Sequence, residues 1–306
     1  MKTIVVTGAG GVVGSAVLER SALNEDLKVT ALTRKEITEK GSDAAADKTP
    51  NVTWRSTDYS QESLEEIFRG ASAVIHLAGT KGDKTELEDF AGDLVMAGNI
   101  LRAAEICGVR SMVYASSRLV YVNPDNIPWT EDTPPEPVTA YGINKVRIEE
   151  LCRSWCDEHD MSITAVRIAQ VLSEEDHMRN MVNVFRELAR EGKELKVIGK
   201  SKARRQYIYA PDLADILLIL AGIEDPGFRI VNAGMEGAYT NFEIAESFNR
   251  AYGNKTPVNY DDSKPETITP SIMDVSRMTA LTGCVPREMD SALADMAERQ
   301  KRSANA

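Results

Sequence analysis

The chain has 306 residues, is 42% hydrophobic and carries 27% charged residues, enough apolar content for one large domain or two coupled ones and too much for a disordered chain. Its net charge of −11 argues against nucleic acid as a partner, so any phosphate site has to be local, built from a few basic side chains and helix N-termini. No apolar run approaches a bilayer span, and the opening segment Met1-Lys2-Thr3-Ile4-Val5-Val6 is too short for a secretory core, so a cytoplasmic protein with no membrane partner is expected.

In chain order, a strand is expected at 3–7, a helix at 11–21, strands at 28–32 and 52–55, a helix at 63–69 and a strand at 73–77. A long helix at 89–107, a strand at 111–115, a second long helix at 140–158 and a strand at 162–168 follow. β-Branched runs alternating with helical stretches imply right-handed crossovers and a mostly parallel sheet covered on both faces. After 168 the rhythm changes: a helix at 178–191, a short strand at 194–198, a segment 205–209 leading into an apolar helix at 211–221, a further strand of the main sheet at 228–232, a helix at 242–252 and a last helix near 290–302. The polar stretch 36–50 reads as a surface loop. The expected fold is α/β, a Rossmann-like doubly wound parallel sheet with a smaller C-terminal region. The four cysteines, Cys107, Cys152, Cys156 and Cys284, have no second Cys/His pair at ligand spacing, so they read as reduced thiols and no metal is expected.

The first strand runs into Thr7-Gly8-Ala9-Gly10-Gly11-Val12-Val13-Gly14. The pattern G-x-G-x-x-G fails at Val13, but G-x-x-G-x-x-G fits Gly8, Gly11 and Gly14. Such a turn needs one glycine for the bend, one for backbone approach to a pyrophosphate and one for close helix–strand packing. At a first β–α junction it predicts dinucleotide binding. The second strand ends in Leu32-Thr33-Arg34-Lys35, with no acid before Glu36. A basic pair there suits the 2′-phosphate of NADP better than the free ribose of NAD, which stays the alternative.

Tyr141-Gly142-Ile143-Asn144-Lys145 opens the second long helix, which puts Tyr141 and Lys145 on one face. Ser117 ends the fifth strand, at the carboxyl edge where open α/β sheets bind ligands. Hydride transfer at a hydroxyl carbon requires a group that takes and returns the hydroxyl proton. A free tyrosine, with a pKa near 10, does so poorly, and a neighbouring ammonium favours its phenolate. A serine hydroxyl can steer the same oxygen. A second Tyr-x-x-x-Lys, Tyr260 to Lys264, follows no comparable strand end and is expected in a polar turn.

With these segments, Asp58-Tyr59, His76-Leu77-Ala78-Gly79, Ser116-Ser117-Arg118-Leu119-Val120-Tyr121, Arg167-Ile168-Ala169-Gln170 and the run Arg205 to Asp212 in order, the chain resembles the extended short-chain dehydrogenase/reductase family, the nucleotide-sugar epimerase and dehydratase group. The resemblance implies catalytic roles for Ser117, Tyr141 and Lys145. It implies cofactor contacts by Gly8, Gly11, Val12, Val13, Gly14, Thr33, Arg34, Asp58, Tyr59, Leu77, Ala78 and Gly79, with Tyr141 and Lys145 again. It implies substrate contacts by Ser117, Gln170 and Arg205, the last on a diphosphate. The change of rhythm after 168 divides the chain into a dinucleotide-binding domain at 1–168 with return segments near 205–233, and a substrate-binding cap from 169–204 and 234–306. Asp93 stands where the family often has Asn, Gln170 where it often has Asn, and Val122 where it often has Gly.

Sugar 4,6-dehydratases commonly carry Asp-Glu after the catalytic Ser/Thr; Arg118-Leu119 here argues against dehydration. Epimerisation or keto reduction of a nucleotide-sugar remains, with reduction of a non-sugar ketone or aldehyde, or a non-catalytic NAD(P) sensor, as alternatives. Lys200, Lys202, Arg204 and Arg205 form a local basic cluster. Apolar residues on more than one face of the two long helices predict a homodimer across them.

Overall fold

The computed structural model describes residues 2–36, 51–176, 178, 180–263, 265 and 269–304. The expected loop at 36–50 lies outside them except for Glu36, which is exposed.

The first half follows the expected alternation: β1 (Lys2–Thr7), α1 (Val12–Ser21), β2 (Leu27–Thr33), β3 (Val52–Ser56), α2 (Gln61–Phe68), β4 (Ala73–His76), α3 (Ala91–Ile106), β5 (Ser111–Ser117), α4 (Ala140–Glu158) and β6 (Ser162–Ile168). The second half gives β7 (Gln170–Leu172), α5 (Met181–Arg190), β8 (Leu195–Ile198), β9 (Arg205–Tyr209), α6 (Ala210–Leu220), β10 (Gly227–Ala233), β11 (Ala238–Tyr239), α7 (Asn241–Tyr252), β12 (Val258–Asp261), α8 (Ser276–Thr282) and α9 (Met289–Ala304). The long helix expected from 89 begins as α3 only at Ala91, because its first turn, Leu87–Phe90, is a 3₁₀ turn.

Seven strands form one parallel sheet in the order β3-β2-β1-β4-β5-β6-β10. This is the doubly wound order with the extra strand β10 beyond β6, and its direction reverses between β1 and β4, where a crevice opens at the carboxyl ends. Every residue of β6 is buried, as a strand covered on both faces requires. One face carries a core of Val6, Val17, Val113, Val166, Leu213 and Leu217 under α1, α6 and α8. The other carries Val5, Leu64, Leu101, Met112 and Ile163 under α2, α3 and α4.

A third core gathers Leu172, Phe185, Val197, Tyr207, Tyr209, Phe248 and Leu293, all from residues after 168. Two small sheets support it, β11-β9-β7 and β12-β8. β8 alternates, with Leu195 and Val197 inward and Lys196 and Ile198 outward. α7 is bounded by chemistry at both ends: Thr240 and Glu243 form a capping box, and Gly253 closes it at φ 68°. Tyr260, expected in a polar turn, sits on β12, which pairs in parallel with β8, and its ring stacks on Phe242 at 4.8 Å.

Candidate active site

The glycine-rich turn and the end of β4 are built against each other. Gly8 has φ 66°, and a Cβ there would lie 2.7 Å from the backbone nitrogen of Ala78. Gly14 lets α1 approach the turn, since a Cβ there would lie 2.4 Å from the Gly8 carbonyl. Gly10 and Gly11 are exposed, and nothing stands within 4 Å of where a Gly10 Cβ would be. Gly11 caps α1 without a side-chain hydrogen bond, so the first-turn N–H groups of Val12 and Val13 face outward. An open backbone surface with a helix N-terminus behind it fits a pyrophosphate.

Thr7 joins the two strand ends. Its Oγ1 accepts from the backbone N–H of Leu77 and of Ala78, each at 3.1 Å, and lies 2.8 Å from His76 Nδ1. Either atom of the Thr7–His76 contact can be the donor, and His76 Nε2 is buried with no partner among the described residues. Burial, helped by the Lys145 charge, lowers the His76 pKa to about 3, so the ring is neutral.

Thr33 ends β2, and Arg34, exposed, follows it. Asp58 is exposed, and its Oδ1 accepts the Ser60 N–H at 2.9 Å. Tyr59 is buried in a left-handed conformation, φ 61°, with its carbonyl accepting from Asn99 Nδ2 at 3.0 Å. Its phenol reaches the Gly8 backbone; burial raises its pKa, and the Gly8 contact and the Arg34 charge oppose that.

β5 and α4 bring the catalytic candidates to one place. Gly142 makes the approach possible, because a Cβ there would lie 2.4 Å from the Leu119 carbonyl, in the turn after Ser117. Thr139 caps α4 by accepting the Gly142 N–H at 3.1 Å. Lys145, only 8% exposed, donates to the Ala115 carbonyl at 2.8 Å, two residues before Ser117. Its Nζ stands 5.3 Å from the Tyr141 ring centroid and 5.0 Å from that of Tyr114. Ser117 Oγ accepts the Leu119 N–H at 3.2 Å, which leaves its own proton free to donate. Tyr141 is half-buried: Phe90 meets its ring edge-on at 6.1 Å, and a Cβ on Gly82 would lie 3.4 Å from the ring.

Sequence reasoning missed the parts that hold this arrangement, Thr7, Gly142 and Asn144. Asp93 is one of them in effect: its carboxylate accepts the Thr80 N–H at 2.9 Å and Asn144 Nδ2 at 3.0 Å, tying the loop after Gly79 to α4 beside Lys145. Hydrophilic residues at the start of a helix gave no sign of burial; the signal was Asn144 within a segment matched to the family and Asp93 at a position where the family often has Asn.

The expected basic cluster divides. Arg204 turns outward to Glu243 at 2.7 Å, and Lys200 and Lys202 are exposed. Arg205 turns inward, donating to Asn241 Oδ1 at 2.8 Å. Gln170 on β7 is in register with Tyr207 on β9, one strand from Arg205. Among the described residues no group of His, Cys, Asp and Glu could hold a metal ion, and no helix is long and apolar enough to cross a membrane.

The sequence pattern of the NAD dependent epimerase/dehydratase family matches residues 4–234. The UDP-glucose 4-epimerase of Azospirillum brasilense is 25% identical over 312 residues, covering 93% of this chain and 87% of that protein. A putative GDP-L-fucose synthase 2 of Arabidopsis thaliana is 25% identical over 299 residues, covering 93% and 87%. Among solved structures, the UDP-N-acetylglucosamine 4-epimerase from Bacillus cereus superposes with a TM-score of 0.86 at 26% identity, over 98% of this chain and 97% of that one. From the glycine turn through the Ser117–Tyr141–Lys145 region to the end of β10, this chain belongs to the NAD-dependent epimerase/dehydratase family.

Proposed function

We propose that the protein inverts a sugar hydroxyl on a nucleoside diphosphate, by transient oxidation of the hydroxyl carbon, with Ser117, Tyr141 and Lys145 as its catalytic residues. The observation that carries this reading is the packing of α4 on the end of β5, which sets Lys145 against the Ala115 carbonyl and the Tyr141 ring beside Ser117. Tyr141 moves the hydroxyl proton, Ser117 donates to the reacting oxygen, and Lys145 keeps a positive charge at the phenol. A nicotinamide dinucleotide, when bound, supplies the hydride acceptor and donor. Gly8, Gly11, Val12, Val13 and Gly14 would hold its pyrophosphate; Asp58 and Tyr59 its adenine side; Leu77, Ala78 and Gly79 its ribose and pyrophosphate; Tyr141 and Lys145 its nicotinamide ribose. The third core forms the substrate side, reaching the crevice through Gln170 and Arg205. Relatives named as UDP-sugar 4-epimerases support inversion over net reduction. Incubated with NAD or NADP and UDP-glucose or UDP-N-acetylglucosamine, the protein should form the C4 epimer by proton NMR with no net change in cofactor absorbance. Stoichiometric NADPH consumption on a ketone, with no epimer formed, would replace this reading with a reductase.

The family's name carries NAD, whereas Arg34 at the end of β2 favours NADP in this chain. Arg34→Asp removes a charge-assisted phosphate contact and adds a ribose acceptor. It should weaken NADP by about one to two decades and improve NAD, as a contact worth roughly 1.5–3 kcal/mol implies. Equal wild-type affinities for the two cofactors refute the assignment.

We also propose a homodimer across α3 and α4: of the apolar residues on α3, Ala97, Ile100, Leu101 and Ala104 are buried within the chain, and Leu94 and Val95, 39% and 65% exposed, are what support it. A monomeric mass by light scattering at micromolar protein would exclude it.

A further inference from the structure

The turn after Ser117 carries Arg118, half-buried, whose guanidinium donates to Ser271 Oγ at 3.0 Å. Ser271 forms a β-bridge with Arg205, so the two arginines meet at the same point of β9. Among the described residues neither has an ion-pair carboxylate, although the acidic chain pairs most of its other partly buried arginines. Arg205 keeps a buried Nε without a partner, and the buried Tyr207 hydroxyl, whose ring lies 5.8 Å from the Arg205 guanidinium, has none either. Among the described residues these two cations lack counter-ions and these two buried polar atoms lack partners, a set that oxygen acceptors would suit, since such groups are costly unless something binds them.

We propose that Arg118, Arg205 and Tyr207 form one oxyanion pocket in which Arg118 is a second substrate-binding cation, taking a phosphate or carboxylate oxygen of the substrate. The inference rests on the nucleotide-sugar reading and adds to it a residue and a charge requirement. Two oxygen sources fit: the diphosphate itself, or a carboxylate on the sugar between the diphosphate and the carbon facing Ser117. The charges already act on each other, because burial and then Arg205 lower the Arg118 pKa from its ordinary value. A bound oxyanion would relieve that repulsion, and a planar fork suits bidentate recognition of either group.

Calorimetric titration of the full chain with UDP, UDP-glucose, UDP-glucuronate and inorganic diphosphate tests this. Arg118→Gln removes the charge and the guanidinium fork while keeping a shorter polar side chain. It should weaken at least one of these ligands by about one to two decades, with thermal unfolding and dinucleotide affinity unchanged. An equal loss for UDP and both sugar nucleotides places the oxyanion on the phosphates. A loss confined to UDP-glucuronate places it on the sugar carboxylate. If Arg118→Gln binds all four as tightly as the wild type, the proposal is overturned. If the wild type binds no uridine ligand, the nucleotide-sugar reading falls separately, and the pocket then stands only if inorganic diphosphate binds and shows the same loss.

Discussion

Tyr141→Phe is expected to lower the rate of hydride transfer by about two to four decades, the usual worth of a positioned proton donor, with dinucleotide affinity nearly unchanged. The ring is held by packing that does not involve its oxygen: Phe90 at one edge, Gly82 against its face and Lys145 Nζ 5.3 Å from its centroid. Phenylalanine keeps those contacts, so the loss isolates the hydroxyl. Lys145→Met should harm both steps, because it removes the charge beside the phenol, the expected ribose contact and the hydrogen bond to the Ala115 carbonyl. Tyr260→Phe is the control. That tyrosine is 50% exposed on β12 and stacks on Phe242, so its replacement should leave catalysis intact. Single-turnover measurement of cofactor absorbance separates the chemical step from binding. Near-normal turnover by a folded Tyr141→Phe protein, or its loss in Tyr260→Phe, would show that the wrong tyrosine had been chosen.

Most of the central sheet was legible because its strands are buried and β-branched and its crossovers amphipathic. The helix at 140–158 and the strand at 162–168 have the same bounds in the structure. The pieces that escaped notice are short and polar. β7 has three residues and β11 two, too few for period-two alternation to register, and β12 is Val258-Asn259-Tyr260-Asp261. Each is stabilised by partners distant in sequence, β7 and β11 by β9 and β12 by β8, which a local pattern cannot reveal. The site divides in the same way. Glycine spacing and the Tyr-x-x-x-Lys step are local and were read directly. Thr7 spanning to Leu77 and Ala78, Asp93 bridging Thr80 and Asn144, and Arg118 turning towards Ser271 are set by the crossovers. Charge alone was misleading at residues 200–205: Lys200, Lys202 and Arg204 precede β9 and are exposed, whereas Arg205, its first residue, is half-buried and held by Asn241.

The largest loss of stability is expected behind the site, at Arg167 and Glu149. Both are almost wholly buried, with side chains 2% and 5% exposed. Arg167 donates its Nε and one terminal nitrogen to the two Glu149 oxygens at 3.1 and 2.7 Å, and the other to the Tyr121 hydroxyl at 2.7 Å. Ser116 donates to Glu149 at 2.5 Å, and the Tyr121 proton is shared between the Thr130 carbonyl and Asn232 Oδ1. One buried chain thus joins β5, α4, β6 and β10. Removing one charge leaves the other without a counter-ion in the interior, so Arg167→Met or Glu149→Leu should each cost about 3–5 kcal/mol. The double variant should lose far less than the sum, because two apolar side chains can replace a buried pair at little net cost. Ser116 precedes Ser117, so where Glu149→Leu protein folds, turnover should fall while dinucleotide affinity holds, as loosening of the β5 end predicts. Urea unfolding of the two single variants and the double variant measures the coupling. Single losses below about 1 kcal/mol, the range of exposed pairs, would mean that water screens the pair and that the strand end is held by packing alone.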